Sequence, residues 1–165
     1  MLTTRIDLLQ RMPIFGALRD DTLEFLLALT HEVCIPAGAW FFREGDAADS
    51  LFVLESGSAS VLKHWQGRPF VLRHLHPGDC FGEMSLMDLM PRSASVQADE
   101  DCVAIELGSG DLYRLSEHDL GQFALIQMNM GREVSRRLRE TDELLFASHM
   151  GDGMPSLSAV APRLI

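Results

Sequence analysis

Cysteine is scarce in this chain: three among 165 residues (Cys34, Cys80 and Cys102), an odd number with no CxxC pair. That argues against a disulfide framework and against a zinc site of the usual spacing, and it makes a reducing cytoplasm the expected compartment. Long hydrophobic runs are missing too. Without about 18 consecutive apolar residues there is no candidate membrane span. The N-terminus, Met1-Leu2-Thr3-Thr4-Arg5-Ile6-Asp7, lacks the apolar stretch of a secretory signal. Basic residues are outnumbered, 14 Lys and Arg against 24 Asp and Glu, for a net charge of −10. Binding to a phosphate backbone depends on Lys and Arg displacing counterions, so an acidic surface opposes nucleic acid at long range. The local exception, Arg132 to Arg139, holds four arginines around one acid and reads as a solvated helix face. Neither nucleic acid nor membrane is an expected partner.

What the chain does have is apolar material, 47% of its residues, enough for one real core in one domain. Residues 1–30 read as helical: Ile6, Leu8, Leu9 and Met12 recur at near-helical spacing up to Pro13, and Asp20 and Asp21 precede a second, capped helix. Over 31–107 short β-favouring runs such as Leu51-Phe52-Val53-Leu54 alternate with Gly38, Gly45, Gly57, Gly67 and Gly78, the rhythm of an antiparallel roll or barrel. The alternation in Asp101 to Leu107 marks its last strand. Residues 108–147 read as C-terminal helices. Ser116 and Asp119 suggest a capping box opening a long one, with Phe123, Met130, Val134, Leu138 and Leu145 along one side. Part of that stripe could pack against a second copy of the chain. Residues 148–165, rich in Gly, Pro, Ser and Met, are expected to be a disordered tail. The expected fold is α+β: an antiparallel β-roll, a jelly-roll-like barrel, flanked by N-terminal helices and a long C-terminal helix.

The chemistry concentrates in Phe81-Gly82-Glu83-Met84-Ser85-Leu86-Met87-Asp88-Leu89-Met90-Pro91-Arg92-Ser93-Ala94. If a strand begins at Arg92, then Arg92, Ala94, Val96 and Ala98 share one face, and the apolar members point that face inward. A guanidinium aimed at the core needs an anion. Glu83 could be that anion, giving an internal salt bridge. A phosphate could serve instead, because arginine's planar fork matches it. Gly82 would let backbone approach a ligand. A short helix starting near Glu83 or Met84 would add free N–H groups, and Ser85 and Ser93 offer hydroxyls.

This segment resembles the phosphate-binding cassette of cyclic nucleotide-binding domains, the family that includes the bacterial catabolite activator protein and the regulatory subunits of protein kinase A. The order Phe-Gly-Glu, short helix, Pro-Arg and a small residue stands here in full. Upstream, Gly45-Asp46 with Ala48 to Leu54 and Gly57, and the turn His76-Pro77-Gly78-Asp79, are similar to the family's pattern, and the likeness runs from about Pro13 to about Leu145. The resemblance implies a sensor or regulatory module, not an enzyme. Its ligand would be cAMP or cGMP rather than a resident cofactor, and it would signal through the C-terminal helix to a downstream protein. It implies that Glu83 takes the ribose 2′-hydroxyl, with Gly82, Met84 and Ser85 around ribose and phosphate. Arg92 would take the cyclic phosphate, with Ser93 beside it. In the bacterial activator an Arg-Arg-Leu on the long helix precedes a Thr-Ser that contacts the base. Here Arg136-Arg137-Leu138 precedes Thr141-Asp142, so Asp142 replaces the serine and leaves the purine open. Leu62 and Leu72 are candidate walls for the base. The family's transcription factors continue into a helix-turn-helix, for which the residues after His149 leave no room. The expectation is therefore a sensing half alone, or a fragment of a longer protein.

Two rivals remain. A metal-dependent cupin would use His74-Leu75-His76 with Glu83, but the glutamate lies too far on and no later strand histidine follows. A degenerate domain could keep the fold for protein–protein contact alone. Gly108-Ser109-Gly110 lacks the third glycine of a dinucleotide fingerprint, and no Ser-His-Asp or Cys-His arrangement is legible.

Overall fold

The structure, a computed structural model, describes residues 2–149. Its centre follows from the run Leu51-Phe52-Val53-Leu54. Successive side chains of a strand point to opposite faces, so a strand apolar at every position needs cover on both. In strand β3 (Ser50–Ser56) the first five residues are buried. Leu51 and Val53 enter a core shared with the helices, while Phe52 and Leu54 enter a second core between two sheets. Strand β8 (Cys102–Gly108) divides the same way, Ile105 and Leu107 toward the helices, Cys102 and Ala104 between the sheets. Each such side chain, fully buried, contributes roughly 1.5–3 kcal/mol if it is a Val, Leu, Ile or Phe.

One antiparallel sheet has the order β1 (His31–Ile35), β8, β3, β6 (Cys80–Phe81). The other has the order β2 (Trp40–Phe42), β7 (Ser95–Ala98), β4 (Ala59–Trp65), β5 (Arg68–Leu75). The sheets do not close into the expected barrel: β1 and β6 stay at the edges of one, β2 and β5 at the edges of the other. The β4–β5 turn passes through Gln66 and Gly67, both at positive φ (51° and 76°), the backbone a two-residue hairpin requires.

Three N-terminal elements cover the outer face of the first sheet: α1 (Leu2–Gln10), a 3-10 turn (Pro13–Phe15) and α2 (Asp20–Leu29). Arg5 fastens α1 to the sheet through Glu32 and, at 2.8 Å, Glu55. Asp20 and Asp21 lie inside the first turn of α2 rather than capping it. The cap position is Arg19, whose backbone N–H donates to Gln122 Oε1 at 2.9 Å. Acids in a first turn still favour the helix through its dipole.

After α3 (Met84–Asp88), α4 (Ser109–His118) and α5 (Leu120–His149) finish the described chain. The expected Ser116–Asp119 box does not form. Ser116 Oγ donates to the Tyr113 carbonyl within α4, and Asp119 alone caps α5, its Oδ1 accepting the Gln122 N–H at 3.0 Å. That backbone hydrogen bond, with the Arg19 guanidinium beside it, holds the Asp119 carboxyl below its ordinary value of 3.8. A depressed carboxylate adds stability above its unfolded pKa and loses it as pH falls through the folded one. Asp119→Ala should therefore lower the melting temperature at neutral pH, and the gap to wild type should vanish in acid below the folded pKa of Asp119. Calorimetric scans at stepped pH read both effects.

On α5 the buried part of the stripe ends earlier than expected. Ile126 and Met130 are fully buried, and Asn129 Nδ2 donates to the carbonyls of Ile14 (3.1 Å) and Gly16 (2.9 Å), tying the helix to the 3-10 turn. Farther along, Leu138 and Phe146 are exposed (60% and 68%). Ser148 and His149, expected in the tail, belong to α5. The remainder of that expected tail, 150–165, lies outside the described residues.

Candidate functional site

Arg92 is 5% exposed. Its backbone is held on both sides by the loop between β2 and β3: Gly45 N–H donates to its carbonyl and its own N–H donates to the Asp46 carbonyl, each at 2.9 Å. The side chain runs inward beneath the ring of Phe42, 4.1 Å from its centroid. Nη1 donates to the carbonyls of Ser50 (2.7 Å) and Gly82 (3.0 Å), and Nη2 to Ser50 Oγ (3.2 Å). Nε is buried with no partner. Among the described residues no carboxylate forms an ion pair with this guanidinium. Burial accordingly pulls its pKa down, against the weaker upward pull of Asp49, Glu106, Asp46 and Glu83. Gly82 stands here for a steric reason as well as for its φ of +83°: a Cβ would come within 2.5 Å of Arg92 Nη1.

Glu83, 1% exposed, does not neutralise Arg92. Its Oε1 accepts from Nη1 of Arg137 on α5, an ion pair the sequence reading left out. Arg137 Nη2 also donates to the Cys80 carbonyl at 3.0 Å, and its Nε lies 3.3 Å from Glu133 Oε1 without hydrogen-bond geometry. One side chain of the long helix is thus docked on the residues flanking Gly82. Its spacing from Thr141, four residues or one helical turn, is the signal that could have found it. Beside Glu83 the Cys80 thiol is pushed well up by burial, which leaves it inert.

These groups share a cavity with about 590 Å³ of empty space, its open mouth included. Gly82, Glu83, Met84, Ser85, Arg92 and Ser93 all line it. Ser85 is buried; Met84 and Ser93 stand in the mouth, Ser93 Oγ 3.9 Å from the Met84 sulfur. With five residues, α3 is too short for much of a dipole, so Arg92 is what the cavity offers an anion. Leu62 and Leu72 do not line it. The β4–β5 register shifts after Val61, pairing Val61 with Arg73 and Leu62 with Val71, which leaves Leu72 unpaired and 41% exposed. Val61, Arg73 and Leu75 line that end of the cavity instead. Thr141 and Asp142 are exposed on α5 outside it, Thr141 Oγ1 donating to the Arg137 carbonyl at 2.9 Å.

The charges nearly balance. Arg137 is matched by Glu83, and Arg73 by Asp79 (3.3 Å), leaving the unit charge of Arg92 unmatched. The cupin pair is elsewhere: His74 Nδ1 contacts Ser60 Oγ at 3.1 Å, and neither His74 nor His76 lines the cavity. Among the described residues no three His, Cys, Asp or Glu side chains are grouped to hold a metal, and no helix is long and apolar enough to cross a membrane.

A family profile described as cyclic nucleotide-binding domain matches residues 32–119. The chain is 33% identical over 131 residues to the Cyclic AMP receptor protein of Thermus thermophilus, covering 79% of this chain and 59% of the relative. It is 31% identical over 107 residues to the cAMP-dependent protein kinase regulatory subunit of Emericella nidulans, covering 65% of this chain and 26% of that one. The chain thus spans less than two thirds of either relative. Among solved structures it resembles the regulatory domain of Toxoplasma gondii PKA in a co-crystal with cAMP, with a TM-score of 0.67, 26% identity, and coverage of 93% of this chain and 54% of that chain.

Proposed function

The chain belongs to the cyclic nucleotide-binding domain family, a family of regulatory ligand-binding domains and not of enzymes, and from that membership we propose that it is a sensor for a cyclic nucleoside monophosphate, cAMP or cGMP. The observation that carries the reading is Arg92: a desolvated guanidinium with backbone partners, no paired carboxylate, and an open cavity lined by it. One unmatched positive charge suits a cyclic phosphodiester, which carries a single negative charge. Arg92 takes the phosphate with Ser93 beside it. Glu83, whose Oε2 has no hydrogen-bond partner among the described residues, accepts the ribose hydroxyl, with Gly82, Met84 and Ser85 around it. Val61 and Leu75 face the purine.

Signalling then runs through Arg137. A ribose hydroxyl on Glu83 changes the partner of the residue that holds α5 on the cassette, so the ligand favours whichever helix position Glu83 then supports. A ligand shifts such an equilibrium only by its differential affinity for the two states. Thr141 and Asp142, just beyond Arg137, are carried toward or away from the cavity mouth. The exposed Leu138 and Phe146 make α5 a surface for a second copy of the chain or for a downstream protein.

Thermal melting with each nucleotide tests the reading. Ligand at one hundred times Kd should stabilise the protein by about 2.7 kcal/mol. If neither cAMP nor cGMP raises the melting temperature, the degenerate interaction module is the better account.

A further inference from the structure

Around α3 a methionine recurs at every third position, Met84, Met87 and Met90, and each has different surroundings. Met84 is at the cavity mouth, with the Ser93 hydroxyl against its sulfur. Met90 lies beyond the end of α3, past Leu89 and its positive φ of 57°. Met87 lines neither the cavity nor the core. It is 41% exposed, and its sulfur accepts no hydrogen bond from the described residues. Its methyl reaches α5: a Cβ placed on Gly131 would lie 3.9 Å from Met87 Cε.

Gly131 is about 9 Å along α5 from Arg137. Arg137 holds Glu83 at the start of α3, and Met87 sits near the end of that helix, so α3 meets α5 at both its ends. The first contact is an ion pair. The second is apolar, a pliable thioether over the space that a glycine leaves open. Leu86 packs on the core that contains Ile126 and Met130, so the α3 backbone keeps its place when the neighbouring side chain changes.

We infer that Met87 is a site of reversible sulfoxidation, and that its oxidation loosens α5 on α3. The oxidant is a hydroperoxide. The sulfur lone pair attacks the terminal peroxide oxygen, an S–O bond forms as the O–O bond breaks, and the departing hydroxide or alkoxide takes the peroxide proton. The thioether loses two electrons and the peroxide gains them; a thiol-dependent sulfoxide reductase reverses the change. The sulfoxide oxygen needs a hydrogen-bond donor, and the backbone N–H groups around Gly131 are already committed inside the helix. The oxidised side chain therefore keeps its hydration only by turning away from α5, and the apolar contact goes with it. None of this depends on which nucleotide the cavity takes.

Hydrogen peroxide treatment of the whole chain tests the inference, read by peptide mass mapping and by amide exchange. Met87 and the exposed Met128 should each gain one oxygen well before the buried Met12 and Met130. Amides of α5 from Gly131 onward should then exchange roughly tenfold faster, the order expected when an unsatisfied polar group replaces an apolar contact. A methionine sulfoxide reductase should restore the original rate. Met87→Leu keeps the contact without the sulfur, so its α5 should exchange slowly before and after peroxide. Met87→Gln, polar and of similar length, should exchange like the oxidised protein with no peroxide present, and Met128→Leu should respond as wild type does. An α5 that stays slow when Met87 is fully oxidised overturns the inference, and so does a Met87→Leu protein that still loosens under peroxide. Met87 left unoxidised after Met128 has reacted completely overturns it as well.

Discussion

Arg92→Met should cost roughly a hundredfold in affinity for the cyclic nucleotide while leaving the ligand-free protein melting within a few degrees of wild type. The binding loss follows from a charge-assisted phosphate contact worth about 1.5–3 kcal/mol, or roughly ten- to a hundredfold and more. The mild effect on stability follows from what surrounds the guanidinium in the absence of ligand. Arg92 gives up hydration for two carbonyls and a hydroxyl, with Nε unsatisfied and no paired carboxylate. Methionine releases that desolvation penalty, keeps contact with Phe42, and forfeits the carbonyl bonds, so gains and losses largely offset. Titration calorimetry reads the first effect and a ligand-free thermal scan the second. A variant that binds normally would refute the role of Arg92. One that fails to fold would show that Arg92 is a structural residue first.

Arg137→Met should have the opposite profile, a large loss of stability in the ligand-free protein. Glu83 is 1% exposed and its ion-pair partner is Arg137. Removing one member of a buried pair costs about 3–5 kcal/mol, because a charge is left desolvated and alone. For a chain of this size that corresponds to a fall of about 10 °C in melting temperature. The double variant Glu83→Leu with Arg137→Met should recover most of the loss, since an apolar replacement of both partners is close to neutral. If the single variant melts like wild type, the pair does not hold α5 on the cassette, and transmission of the signal through it has no physical basis. Mobility of the C-terminal half of α5, read by amide exchange, should rise in Arg137→Met and stay low around Ile126 and Met130, which are anchored independently.

Much of the cassette was legible in the residues. The order Gly82, Glu83, Pro91, Arg92 marked the segment, and the structure buries the arginine as expected, but not by the alternation argued for it: β7 starts at Ser95 rather than Arg92, and backbone bonds to Gly45 and Asp46 hold Arg92 in the loop before the strand. The glycines that punctuate the strands were legible too: Gly38, Gly45, Gly57, Gly67 and Gly78 all adopt positive φ, a local property that a side chain would oppose. The helix caps were less so. Whether Ser116 or Asp119 ends its own helix or opens the next depends on where α4 stops, which packing decides.

Composition and order alone established enough apolar material for a core, strands between helices and an arginine in need of an anion, because these depend on residue type and on spacing along one strand or helix; that the apolar residues divide into two cores, one under the helices and one between the sheets, was decided by tertiary packing. Which anion the protein itself supplies was beyond them. Glu83 and Arg137 are 54 residues apart, and their meeting depends on how α5 crosses the sheet. Leu62 and Leu72 were misplaced for a similar reason: one shifted register in the β4–β5 pair turns a different set of side chains to the cavity, and strand register is settled by cross-strand packing rather than by either strand's sequence.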